Sequence, residues 1–114
     1  MAKNVDYDRI NIEIVEGDTW KQTYSVKKNN VLLDMTGMTI AIDVEDEDGV
    51  EVLNISTAGL LPAISIVTTS FTINKAAAFD TVGKYYYDIQ LTDLSGIVST
   101  ICRGKIKVIK EYTD

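Results

Sequence analysis

Gly83-Lys84-Tyr85-Tyr86-Tyr87-Asp88-Ile89-Gln90-Leu91-Thr92 is the stretch that decides the fold class. Large apolar residues occupy every second position from Tyr85 onward, and the positions between them are mostly polar. Successive side chains of a β-strand point to opposite faces, so a period of two is typical of a strand with one face buried. The stretch therefore predicts a β-strand whose apolar face packs on a core.

The same alternation recurs along most of the chain. Turn-forming pairs such as Asn29-Asn30 and Asp48-Gly49 separate the alternating segments. We count about eight predicted strands, and no segment has the spacing of a helix that connects parallel strands. One short helical turn is predicted between Asn74 and Asp80, with Asn74 as its cap. The sequence thus predicts an all-β protein, an antiparallel sandwich or barrel.

The predicted core and domain boundaries follow from this pattern. Trp20 is the main anchor, because burying its ~200 Å² at about 25 cal/mol per Å² contributes up to about 5 kcal/mol. Gly104 lies inside the last strand, where a glycine indicates a bulge or a close approach of two backbones. Residues 1–8 are predicted to form a flexible N-terminus and residues 9–114 a single domain. The predicted core residues are Ile12, Trp20, Tyr24, Met38, Ile40, Ile42, Phe71, Ile73, Tyr87, Ile89, Ile106 and Val108.

The composition argues against catalysis and metal binding. The chain has 114 residues, with one Cys and no His. Without His, the commonest general base and the usual transition-metal ligand are missing. A single Cys forms neither an internal disulfide nor a thiolate zinc site, and a small buried hydrophobe is the expected role of Cys102. We therefore expect a non-enzymatic protein without cofactor, metal or small-molecule substrate.

The charge balance and the start of the chain restrict the partners. There are 17 acidic and 11 basic residues, which gives a net charge of -6. Nucleic-acid binding depends on Lys and Arg that neutralise phosphates, and an acidic membrane surface repels an acidic protein. The first residues also lack the apolar segment of a secretory signal. We expect no nucleic-acid or membrane partner, and synthesis in the cytoplasm without secretion by a signal peptide.

Two oppositely charged segments are the candidate interaction sites. Six of the nine residues from Asp43 to Glu51 are acidic, while the last strand is basic. The acidic run does not fit a calcium loop of the EF-hand type, because apolar residues take both key ligand positions. Complementary charge would let copies of the chain, or neighbouring proteins, associate. The predicted interface residues are Glu45, Asp46, Glu47 and Asp48 in the acidic run, Arg103, Lys105 and Lys107 on the basic strand, and Tyr86.

The tyrosine-rich segment offers two further hypotheses. Tyr86 lies on the opposite face from Tyr85 and Tyr87, so it is a candidate stacking surface for a sugar ring. A tyrosine at the start of a late strand also suggests a tyrosine corner, in which its hydroxyl binds back to the preceding connection. A hydrolase would need two carboxylates that face each other across a cleft.

Four segments carry a resemblance to a known family. They are Gly17-Asp18-Thr19-Trp20, Val31 to Thr39, Gly83 to Thr92, and Gly104-Lys105-Ile106-Lys107-Val108. Their order resembles the immunoglobulin-like N-terminal domain of phage baseplate upper proteins. The resemblance implies an immunoglobulin-like β-sandwich that is a structural docking module of a phage tail, baseplate or fibre. It also implies location in a virion, with other virion proteins or copies of the chain as partners. A carbohydrate-binding β-sandwich module is the alternative.

Overall fold

The computed structural model describes residues 8–60 and 62–110, and these residues form strands and connections without a helix. Eight of the described strands have four or more residues, as the alternation predicted. The all-β prediction is confirmed. In chain order the strands are β1 (Asp8–Arg9), β2 (Ile12–Val15), β3 (Trp20–Ser25), β4 (Lys27–Lys28), β5 (Val31–Leu32), β6 (Thr39–Asp46), β7 (Glu51–Ser56), β8 (Ile64–Val67), β9 (Ser70–Lys75), β10 (Gly83–Thr92) and β11 (Val98–Ile109).

The strands form the two layers of an immunoglobulin-like sandwich. The larger sheet has the order β7-β6-β10-β11, and β1 and β2 both pair in parallel with the outer edge of β11. The smaller sheet has the order β3-β9-β8, and β4 and β5 form a separate short hairpin. Apart from β1 and β2, neighbouring strands are antiparallel. The predicted immunoglobulin-like β-sandwich is confirmed.

The core lies between the layers and contains the apolar face of β10. Tyr85, Tyr87, Ile89 and Leu91 are all buried, as their alternation predicted. Trp20 is only 2% exposed, and its ring lies 5.9 Å from the rings of both Phe79 and Tyr87. Nine of the twelve predicted core residues are buried, and the other three are partly buried and pack against the core: Ile12, Tyr24 and Met38.

The segment between β9 and β10 corrects the prediction of a helical turn. Asn74 does not cap a helix, because it is part of β9 and pairs with Lys21 of β3. Ala77 then has a φ of 47°, a left-handed conformation that ends the strand in a turn. The turn places Phe79 in the core beside Trp20, and the Phe79 carbonyl accepts a 2.8 Å hydrogen bond from the amide of Gly17. Packing of Phe79 thus outweighs the helix propensity of three alanines.

A tyrosine corner closes this connection. The hydroxyl of Tyr85 donates a 2.7 Å hydrogen bond to the backbone carbonyl of Thr81, four residues upstream. Burial raises the pKa of Tyr85, as does the nearby carboxylate of Asp80. The predicted tyrosine corner is confirmed, and it fixes the start of β10, the central strand of the larger sheet.

Gly104 marks the point where the N-terminal segment passes from β1 to β2. A β-carbon at Gly104 would lie 1.9 Å from the carbonyl oxygen of Ile10, so only glycine leaves room for the crossing chain. The amide of Ile10 donates to the carbonyl of Arg103 at 2.9 Å, and the hydroxyl of Tyr87 donates to the Ile10 carbonyl at 2.7 Å. The close backbone approach predicted for this glycine is confirmed, and it holds Arg9 and Asn11 beside β11.

Some predictions concern residues outside the described ranges. These are residues 1–7 of the predicted flexible N-terminus, together with Leu61 and residues 111–114 of the predicted domain. The described part of the chain contains no helix long and apolar enough to cross a membrane.

Candidate functional site

The candidate site is an open groove of about 550 Å³ on the outer face of the larger sheet, the face turned away from the core. Strands β1, β6, β10 and β11 supply its side chains, together with the crossing between β1 and β2. Most of the lining residues are charged or polar. They are Arg9, Asn11, Asp43, Glu45, Tyr86, Tyr87, Asp88, Arg103, Gly104 and Lys105.

Strand register brings these residues together in two rows across the sheet. In the first row, Asp88 of β10 pairs with Asp43 of β6 on one side and with Arg103 of β11 on the other. In the second row, Tyr86 pairs with Glu45 on β6 and with Lys105 on β11. Side chains at paired positions lie on the same face, so each row runs from an acidic residue to a basic one.

The rows divide the surface into an acidic half and a basic half. We call the surface formed by Asp43, Glu45, Tyr86, Asp88, Arg103 and Lys105 the charged face. Neighbouring strands lie about 4.8 Å apart, so the acidic strand β6 and the basic strand β11 are separated by roughly 10 Å. Arg9 extends the basic half, because β1 pairs it with Arg103. Tyr86, between the halves, is 42% exposed.

Asp88 lies at the centre of the charged face in an unfavourable setting for a carboxylate. Its Oδ1 atom is buried and has no hydrogen-bond partner among the described residues. Burial raises the pKa of Asp88, the charge of Asp43 raises it further, and Arg103 opposes both. The carboxyl group of Asp88 therefore lies between the like charge of Asp43 and the opposite charge of Arg103, with its Oδ1 atom left without a hydrogen bond in the described part of the chain.

Two asparagines fix the edges of the charged face. On the acidic side, the amide of Asn54 on β7 donates to Oδ1 of Asp43 and, at 3.3 Å, to Oε1 of Glu51. On the basic side, Oδ1 of Asn11 accepts the backbone amide of Lys105 at 3.0 Å. Asn54 thus orients Asp43 from β7, and Asn11 holds the backbone of β11 from the crossing between β1 and β2, so the separation of charge is part of the folded structure.

The structure assembles half of the predicted interface residues in one place. Glu45, Tyr86, Arg103 and Lys105 all line the groove. Lys107 is exposed further along β11, where it pairs with Lys84 and lies outside the groove. The remaining three are Asp46, Glu47 and Asp48, at the turn between β6 and β7.

Asp46 has a structural role at that turn. Its Oδ1 accepts the backbone amides of Asp48 at 2.9 Å and Val50 at 3.0 Å. Asp93 makes the same two bonds in the turn between β10 and β11, to Ser95 at 2.9 Å and Ile97 at 3.0 Å. Both turns have the pattern Asp-x-x-Gly with the glycine at positive φ. The acidic run therefore divides between a turn and the charged face.

Four polar or charged residues of the groove were missed by the sequence analysis. Asp43, Asp88, Arg9 and Asn11 were not among the predicted interface residues, yet all four line it. The strand period could have found two of them, because Asp43 is two residues from Glu45 and Asp88 is two residues from Tyr86. Arg9 and Asn11 could not be found this way, since their place depends on pairing with a strand more than ninety residues later.

A second cavity, of about 360 Å³, opens at one end of the sandwich beside Tyr24 and Cys102. The hydroxyls of Tyr24 and Tyr87 lie 3.4 Å apart, and the Tyr87 hydroxyl lies 3.5 Å from Sγ of Cys102. Burial raises the pKa of both tyrosines. The two tyrosine hydroxyls are therefore neutral hydrogen-bonding groups at this end of the core.

Comparison with known proteins identifies the fold. Over 94% of its length the chain is similar in structure to CopC from Methylosinus trichosporium OB3b, covering 90% of that chain with 11% sequence identity and a TM-score of 0.52. The PmoD soluble domain from Methylocystis sp. ATCC 49242 (Rockwell) matches 85% of the chain, covering 77% of its own, with 16% identity and a TM-score of 0.47. The V domain of amphioxus IgVJ-C2 matches 88% of the chain, covering 99% of its own, at 16% identity and a TM-score of 0.30. No protein-family model matches, and no curated protein is similar in sequence.

The structural match to CopC overturns the resemblance to phage baseplate proteins. The fold of nearly the whole chain is found in CopC, which is not a baseplate protein. The predicted function as a phage structural protein and the predicted location in a virion depended on that resemblance, and both are wrong. The short segments that suggested it are turn and strand features: Gly17 and Gly37 have positive φ, and Trp20 and Tyr87 are core residues. Glycines at positive φ and buried aromatic residues are general features of turns and cores, so they do not distinguish one family from another.

Proposed function

We propose that this chain is a non-enzymatic module that binds a protein surface through its charged face. The observation that carries the proposal is the register that aligns Asp43, Asp88 and Arg103, and Glu45, Tyr86 and Lys105, in two parallel rows. A partner with the complementary pattern would gain charge pairing in both rows. Complementary charge of this kind sets the orientation of partners and accelerates their association.

The shape and composition of the charged face favour a protein partner. It spans several strands of a sheet, and its exposed aromatic ring, Tyr86, is surrounded by charged side chains. Protein interfaces are enriched in Tyr and Arg near their centres and have charged groups at their rims. Tyr86 is the only exposed aromatic side chain among the described residues, which leaves a sugar ring a single stacking partner. The carbohydrate-binding alternative is therefore set aside.

The geometry of the carboxylates supports a non-enzymatic role. Asp43 and Asp88 lie side by side on one face of a sheet rather than on opposite walls of a cleft. The buried Oδ1 of Asp88 has no exposure to a substrate, and Oδ1 of Asp43 already accepts a hydrogen bond from Asn54. A glycosidase needs two accessible carboxyls that flank the bond to be cleaved.

The donor set gives no support to a metal-binding function. Copper and other soft transition metals prefer His, Cys and Met ligands. The sequence has no His, Met35 and Cys102 are buried in the core, and Met38 is partly buried against it. The described residues also contain no group of three or more His, Cys, Asp or Glu side chains that could hold a metal ion. We therefore propose no step that involves a metal.

The test is site-specific photo-crosslinking in the cells from which the protein comes. A photoreactive phenylalanine derivative replaces Tyr86 in one variant and Lys21, an exposed residue of β3 in the smaller sheet, in a matched control. We expect discrete protein adducts from position 86 that are absent at position 21. Equal labelling at both positions, or no adduct at position 86, would contradict the proposed function.

A further inference from the structure

We infer that the partner of the charged face is a second copy of this chain, related to the first by a two-fold axis parallel to β10. This inference rests on the proposed function and identifies the partner. It follows from the order of charges across the sheet, because β10 lies midway between the acidic strand β6 and the basic strand β11. A surface divided in this way is complementary to itself.

The two-fold operation can be followed residue by residue. Rotation by half a turn about an axis along β10 keeps each residue's position along the strands and exchanges the two sides of the sheet. Asp43 of one copy then lies opposite Arg103 of the other, because both belong to the row of Asp88. Glu45 lies opposite Lys105 in the same way, through the row of Tyr86. Each dimer contains every one of these pairs twice.

The direction of the axis matters for the charge pairing. A two-fold axis in the plane of the interface but perpendicular to the strands would leave the two sides of the sheet in place. Acidic strand β6 would then face the β6 of the second copy, and the basic strands would also face each other. Like charges in contact cost several kcal/mol in an interface. The charged face therefore selects the axis parallel to the strands.

Tyr86 and Asp88 lie next to the axis, so each would meet its own counterpart. The exposed ring of Tyr86 supplies apolar area at the centre of the interface. Asp88 would meet the Asp88 of the second copy, one like-charge contact set against four opposite-charge pairs, and its neighbour Arg103 across the strand pair offsets part of this repulsion. The centre of the dimer is thus an aromatic contact flanked by the charged rows.

The size of the charged face indicates a weak dimer. A contact that covers the outer face of the larger sheet, with the charged face at its centre, spans five strands at about 4.8 Å and six residues at about 3.3 Å, or roughly 500 Å² per copy. The total of roughly 1,000 Å² lies below the ~1,600 Å² that is typical of stable complexes. We expect an equilibrium between monomer and dimer that depends on concentration. It should also shift toward monomer as salt rises from about 0.05 M to about 0.5 M, because salt screens the charge pairs.

Sedimentation velocity over a concentration series tests the inference with charge reversals. The variants are Lys105→Glu, Glu45→Lys and the double variant with both changes, and Lys21→Glu on the smaller sheet is the matched control. Each single reversal places like charges opposite each other twice per dimer, so we expect each to weaken the dimer about tenfold or more. The control should retain the wild-type dimer constant.

Mixing the variants gives the sharpest outcome. A chain with Lys105→Glu and a chain with Glu45→Lys are complementary to each other at both positions. Their equimolar mixture should therefore form a heterodimer at concentrations where each variant alone stays monomeric. The double variant should dimerise by itself. A wild-type chain that stays monomeric, or a dimer that ignores the reversals, would overturn the inference. Crosslinks from position 86 to a different protein would support the proposed function while refuting self-association, and the absence of any crosslink would count against both.

Discussion

Gly104→Ala should destabilise the protein strongly, because the added methyl group meets backbone rather than a movable side chain. The new β-carbon would lie 1.9 Å from the carbonyl oxygen of Ile10, 2.7 Å from its carbon and 3.0 Å from Cε1 of Tyr87. Contacts below 3.0 Å require the atoms to move apart. The crossing segment between β1 and β2 would have to leave the surface of β11.

The magnitude follows from the contacts that hold this crossing. Displacement breaks the bond from the Ile10 amide to Arg103, the bond from the Tyr87 hydroxyl to Ile10, and the bond from the Lys105 amide to Asn11. At about 1 kcal/mol each, the loss is about 3 kcal/mol. Replacing glycine by alanine also lowers the conformational entropy of the unfolded chain, which offsets up to about 1 kcal/mol of this loss. We expect a net loss of about 2 to 3 kcal/mol, or roughly 10 °C in Tm for a domain of this size.

Thermal and urea unfolding followed by tryptophan fluorescence measure this loss, because Trp20 is buried beside Tyr87. Gly83→Ala is the matched control in β10: its nearest neighbour would lie at 3.9 Å, an ordinary contact. We expect Gly83→Ala to be neutral or slightly stabilising. Amide hydrogen exchange should also accelerate at Ile10 and Lys105 in the Gly104 variant before other strands are affected. A Gly104→Ala protein with the stability of the control would refute the steric argument.

Three further predictions use single side chains. Asp88→Asn should raise Tm at pH 7, because burial raises the folded-state pKa of Asp88 above its ordinary 3.8. The wild-type protein therefore loses stability as pH rises from 3.8 through the raised folded-state pKa, and the uncharged Asn avoids that loss. The difference in Tm between variant and wild type should vanish near pH 3, which thermal unfolding at pH 7 and pH 3 will show. A lower Tm at pH 7 would contradict this. Tyr85→Phe should cost about 1 kcal/mol in urea unfolding through the lost bond to Thr81, whereas Tyr86→Phe should cost nothing measurable. Asp93→Ala should cost about 1 to 2 kcal/mol, since two turn amides lose their acceptor, and Asp93→Asn should recover most of it in the same assay.

The fold was predictable where one physical rule dominates. Alternation in β10 correctly predicts which of its side chains are buried, because one face of the strand packs on the core and the other faces solvent. The tyrosine corner and the constraint at Gly104 were also visible, since each depends on a single residue type. The prediction of a helical turn was wrong because long-range packing outweighs local helix propensity in this segment: Asn74 pairs with Lys21, and Phe79 packs in the core.

The candidate site was predictable in part for the same reason. Alternation places Arg103 and Lys105 on one face, and it places Tyr86 on the face opposite to the core. It does not show which strands are neighbours, so the rows that join Glu45 to Tyr86 and Asp43 to Asp88 became visible only with the strand register. The phage resemblance was wrong because its residues form turns and core, which many sandwiches share.

The parallel pairing of β2 with β11 has a consequence for synthesis of the chain. Asn11 and Lys105 are hydrogen-bonded although 94 residues separate them. A ribosome that adds about 5 to 20 residues per second needs roughly 5 to 20 s to make that interval. Ile12 and Ile14 leave the ribosome long before their neighbours on β11 have been translated. Strand β2 is thus made before the other long strands of its sheet but docks after β11 is complete, and until it does so the edge of β11 remains open to strands of other chains.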